Sequence, residues 1–100
     1  MRQGTTPTHI FRLPFSTDMV SKVKVIYAQN NTVIFTKEGG ACEYEEDTVK
    51  VRLTQEETLK FDCAKHIQIQ IRVLTLGGDA LTSEIKLVSV EKCLESEVLE

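Results

Sequence analysis

The longest regular pattern in the chain lies at residues 66–76, His-Ile-Gln-Ile-Gln-Ile-Arg-Val-Leu-Thr-Leu. Ile67, Ile69, Ile71 and Val73 alternate with Gln68, Gln70, Arg72 and Leu74, the period-two signature of a strand with one buried face. Four β-branched residues in succession on that face suit a pleated surface, and neither Gly nor Pro interrupts them. The pattern predicts a central strand whose Ile face centres the core.

Shorter alternations surround it. Residues 8–15 place His9, Phe11, Leu13 and Phe15 on one side, and Pro14, which cannot donate to a ladder, marks the strand end. Ser16-Thr17-Asp18 can cap one helical turn over Met19 and Val20. Residues 22–29 set Val23, Val25 and Tyr27 against Lys24, Ile26 and Ala28, and residues 32–37 set Val33 and Phe35 against Ile34 and Thr36. Between them, Asn30-Asn31 tolerates the left-handed backbone of a tight hairpin turn. Gly39-Gly40 breaks the pattern, and the acidic residues 42–47 read as a solvated turn or the edge of a short strand. They lack the repeated Asp spacing of a calcium loop. Residues 48–53 return Val49, Val51 and Leu53 to the interior.

Thr54 followed by Glu57 fits a capping box, predicting one or two helical turns before Leu59 and Phe61 rejoin the core. Gly77-Gly78-Asp79 is a turn, and residues 80–90 run back with Leu81, Ser83, Ile85 and Leu87 on one face. Val88 and Val90 change the phase, which predicts a one-residue bulge near Leu87. At the end of the sequence, Leu94, Val98 and Leu99 are spaced like a short amphipathic helix or a docking arm, with a frayed tail as the alternative.

Together these elements predict an all-β chain: an antiparallel β-sandwich, immunoglobulin-like, of six to seven strands with one short helical crossover. The turn at residues 53–63 loosely resembles the one before the second core cysteine of an immunoglobulin domain. There is no Trp, however, and Phe61 stands where a corner tyrosine would. Residues 1–100 read as a single domain, with residues 1–7 an N-terminal arm and residues 91–100 an acidic C-terminal tail.

Composition narrows the partners. An apolar fraction of 41% and a charged fraction of 27% describe a folded chain and not a disordered one. No apolar run nears the roughly 20 residues of a spanning helix, and the polar first residues lack the core of a signal peptide, so a cytoplasmic origin with no membrane partner is expected. Four glutamates against Lys92 in residues 91–100 account for the whole net charge of -3. The remainder is balanced, with no basic stripe for nucleic acid. Cys42, Cys63 and Cys93 show no paired spacing, so reduced thiols are expected before a disulfide or a Cys/His metal site. Glu56 and Glu57 point in different directions on a helix, and His9 and His66 have no visible catalytic partner, so no enzyme, metal or cofactor is predicted.

Gly4-Thr5-Thr6-Pro7-Thr8-His9, Tyr27-Ala28-Gln29, the run from Leu53 to Phe61 (LTQEETLKF) and the Ile-Gln-Ile-Arg strand resemble a group of small proteins from phages and prophages of Gram-positive gut bacteria. The likeness runs from residue 4 to residue 99 in the same order. The resemblance implies a virion structural module, made in the bacterial cytoplasm and docking to other virion proteins or to copies of itself. A tail or baseplate component is the first expectation, a head decoration or head–tail connection protein the second. It carries no active site. The residues themselves nominate the outward side of the central strand, Gln68, Gln70, Arg72 and Leu74, with Leu94, Val98 and Leu99, as protein contacts; a solvated face is the alternative. A small regulatory protein binding a host factor is the reading of a different class.

Overall fold

In the computed structural model, which describes residues 1–100, the alternation at the centre of the sequence becomes the centre of a five-stranded antiparallel sheet. The strands are β1 (Thr8–Arg12), β2 (Val20–Gln29), β3 (Thr32–Glu38), β4 (Cys42–Glu45), β5 (Thr48–Arg52), β6 (Ile67–Thr75), β7 (Ala80–Thr82) and β8 (Lys86–Val88), with one short helix, α1 (Gln55–Leu59). One sheet runs β3-β2-β6-β7, with β8 also on β6; the other runs β1-β5-β4. In β6, Ile67, Ile69, Ile71 and Val73 are buried, and Val23, Val25 and Tyr27 of β2 stand opposite Val73, Ile71 and Ile69. Val49, Val51 and Leu53 come from the second sheet and its exit into the same hydrophobic cluster, so the two sheets share one core. The expected all-β architecture of two antiparallel sheets is present.

The local signals act as their chemistry requires. Ser16 accepts from the Asp18 amide and starts a 3-10 turn at Thr17–Met19. Asn30 and Asn31 have φ of 52° and 62°, the left-handed pair that lets a two-residue turn match the strand twist. The Asn31 side chain also accepts from Gln68 Nε2, and the Asn31 backbone N–H donates to Gln68 Oε1. Asn31→Ala is expected to cost about 1–2 kcal/mol in denaturant titration, because alanine keeps the Cβ in the left-handed region without the polar side chain that offsets it, and Asn31→Gly, with no Cβ, clearly less. Equal losses would contradict this. At α1, Thr54 accepts from the Glu57 amide while the Glu57 carboxylate accepts from the Thr54 amide, completing the capping box.

Four expectations need correction. Val33 does not share a face with Phe35: the β2–β3 register shifts between Tyr27 and Ala28, and Ile34 is the extra residue. Phe35 then stacks on Tyr27 at 5.0 Å while Val33 turns outward. The return strand does not run unbroken through residues 80–90. The Ile71 amide donates to Ser83 Oγ and the Ser83 amide to the Ile71 carbonyl, so a hydroxyl takes a ladder position. Between Arg72↔Thr82 and Ile69↔Lys86, three steps along β6 face four on the return. The bulge therefore falls at residues 83–85, earlier than Leu87, and the strands number eight instead of six or seven.

Residues 91–100 form no helix. Leu94 and Val98 have helical spacing but no surface to bury against, and an isolated turn is unstable alone. Gln55 holds the stretch instead, its side-chain amide pairing with the Leu99 N–H and carbonyl as a neighbouring strand would. Residues 1–7 are likewise stitched to the body. Arg2 bridges Glu91 in parallel, Gln3 bonds the Phe61 carbonyl, and the fully buried Thr58 hydroxyl bonds the Gly4 amide and the Thr5 carbonyl.

Candidate docking surface

Several polar groups face the interior between the two sheets. His9 Nδ1 meets the hydroxyl of Tyr27 at 2.7 Å, and Cys42 shares the inward row of Val51 and His9. Burial lowers the pKa of His9, raises that of Tyr27 and raises that of Cys42. The raised values keep the phenol and the thiol protonated, whereas a reactive thiol has its pKa lowered. All three cysteines are unpaired.

Beside this row, Lys37 spans from β3 to the helix and places its ammonium 2.9 Å from both carboxylate oxygens of Glu57. Burial opposes ionisation of Glu57. Hydrogen bonds from Lys37 and from the Thr54 amide, with the lysine's charge, outweigh it and hold the carboxyl below its ordinary value. A depressed folded-state pKa contributes stability that is present above the unfolded value and lost as pH falls through the folded one. Stability is therefore expected to fall on acidification below pH 4.5, and Glu57→Gln should flatten that fall. An identical acid limb in the variant would remove this pair as its source.

The residues nominated as contacts occupy two separate places. Gln68, Gln70, Arg72 and Leu74 stand on the outward side of β6, opposite the buried Ile face. The two glutamines are engaged within the chain, Gln68 with Asn31 and Gln70 with the Ser83 carbonyl, whereas Arg72 is exposed. Leu94, Val98 and Leu99 lie at the far end, on the stretch tied to α1, with Leu94 97% exposed.

Two further features escaped the sequence reading. First, Leu81, Ile85 and Leu87 are exposed, although their alternation looked like a buried face. Once the bulge at residues 83–85 changes the phase, Leu87 stands opposite Gln68 on the outward side, and no strand lies beyond β7 and β8. Second, a groove of about 570 Å³ lies at the end of the five-stranded sheet. Lys22, Lys24, Arg72, Val73, Leu74, Ala80 and Leu81 line it with Tyr44, whose hydroxyl donates to the Gly39 carbonyl. Glu38 is the one acidic residue of its wall. Cross-strand charge could have signalled it, since Lys24 and Arg72 face each other in the register. No protein-family model, curated protein or solved structure matches the chain.

Proposed function

We propose that this chain is a non-enzymatic structural or assembly protein of a phage particle, a tail or baseplate component that works by docking. One observation carries the docking. Of the eleven large hydrophobic side chains left exposed, seven fall between Leu76 and Leu99, a stretch in which Val90 alone is buried. Scattered apolar residues are ordinary on a surface; a concentration along one open sheet edge and the segment after it marks an interaction site. The edge offers unpaired backbone groups and apolar side chains together, which β-augmentation uses. The assignment to a phage particle rests on the sequence resemblance.

The finer fold belongs to the same proposal: an immunoglobulin-like sandwich. Strand order supports it. The order β1-β5-β4 corresponds to B-E-D, and β3-β2-β6 with β7 and β8 corresponds to C′-C-F-G. The chain changes sheet after β1, β3 and β5 and forms hairpins at β2–β3, β4–β5 and β6–β7. α1 occupies the connection between the E-like and F-like strands.

Mass spectrometry of purified particles tests the reading. The chain is expected among the particle proteins, and Ile85→Lys with Leu87→Lys is expected to fold normally yet be lost from particles. Absence of the unaltered chain from intact particles would sink the proposal and favour a regulatory protein.

A further inference from the structure

We infer that residues 91–100 of one copy dock in the basic-rimmed groove at the β2–β6–β7 end of the next, building a head-to-tail assembly. The inference rests on the docking role proposed above and names its partner, a second copy of this chain. Charge complementarity carries it. Lys24 and Arg72 stand directly opposite one another with Lys22 beside them; Glu38 faces Lys24 from β3, but none of the three basic groups has an acid within ion-pair distance. Like charges facing across strands are unfavourable unless an anion lies between them. Residues 91–100 carry four glutamates and one lysine; Glu91 is paired with the N-terminal ammonium of its own chain, which leaves Glu95, Glu97 and Glu100 for a partner. The segment's exposed Leu94, Val98 and Leu99 match the apolar floor that Val73, Leu81 and Tyr44 give the groove.

The geometry makes the contact intermolecular. Val88, just before the acidic segment, pairs with Ile67 at the start of β6, and Gln55 holds Leu99 against α1. The groove takes Arg72–Leu74 at the other end of β6, about 17–23 Å away along the strand at its usual rise. A donor site and an acceptor site at opposite ends of one molecule form a heterologous contact, which propagates into a ring or a filament.

Sedimentation velocity on the full chain tests this. The unaltered chain is expected to self-associate, less so as salt rises. Lys24→Glu with Arg72→Glu should weaken association about tenfold, the worth of a few exposed ion pairs, and Glu95→Lys with Glu97→Lys should do the same. An equimolar mixture of the two double variants should regain it, because each then presents the charge the other needs. A chain that is monomeric at about 1 mM, weaker than specific contacts require, would overturn the inference. So would charge reversals without effect, or a mixture that fails to recover. A chain found in particles yet monomeric alone would refute this contact and leave the docking role standing.

Discussion

Phe61→Ala is expected to remove about 3–5 kcal/mol of folding stability, the cost of a large aromatic truncated in a closed core. Phe61 is 2% exposed, and its ring lies 5.3 Å from Phe35 and 6.2 Å from Tyr27, between centroids. It is the side chain by which α1 re-enters the core before β6, so truncation leaves a cavity among the aromatics and loosens the connection that delivers the central strand. A domain of this size is stable by only about 5–15 kcal/mol, so the variant should unfold at markedly lower denaturant. Leu87→Ala is the matching control: at 63% exposed, it should change stability by no more than about 0.5 kcal/mol. Equal losses at the two positions would mean that the core has been misplaced.

Gln29→Leu should come close to that effect, by about 2–4 kcal/mol, because it strands several buried polar groups at once. Gln29 is 4% exposed at the end of β2. Its Nε2 donates to the carbonyls of Asp62 and Lys65, and its Oε1 accepts from the Asp62 amide. One side chain thus does for the connector at residues 62–65 what a neighbouring strand would do. Leucine fills similar volume and satisfies none of these groups. Beyond lower global stability, hydrogen exchange should accelerate at residues 62–65; unchanged exchange there would contradict the assigned role.

These two side chains mark the boundary of what the sequence discloses. β2, β5 and β6 are legible because burial on one face writes a strict alternation, and the Asn30-Asn31 turn and the Thr54–Glu57 box are legible because local chemistry alone determines them. Gln29 and Thr58 carry no such signal. A polar residue at a buried position is identified by partners distant in the chain, Asp62 and Lys65 for one, Gly4 and Thr5 for the other. The return strand misleads for the opposite reason. Leu81, Ile85 and Leu87 have the spacing of a core face, but Leu81 stands opposite Val73 on the open edge strand β7, and beyond it the Ser83 hydroxyl enters the ladder and Leu87 turns outward opposite Gln68. The candidate surface was half legible: the outward side of β6 and the apolar residues of segment 91–100 could be nominated, whereas Lys22, Lys24 and Tyr44 come together with Arg72 only through the fold.

The central claim is that residues 76–99 form a docking surface and are not a peripheral part of the core. Hydrogen exchange of the purified chain, compared with the same chain in intact particles, measures this most directly. Slow exchange is expected in β2 and β6 in both samples, and at residues 80–99 a further slowing in the particle, beyond the protection that pairing with β6 already gives β7 and β8 in the isolated chain. No gain at residues 80–99 on assembly would contradict the claim.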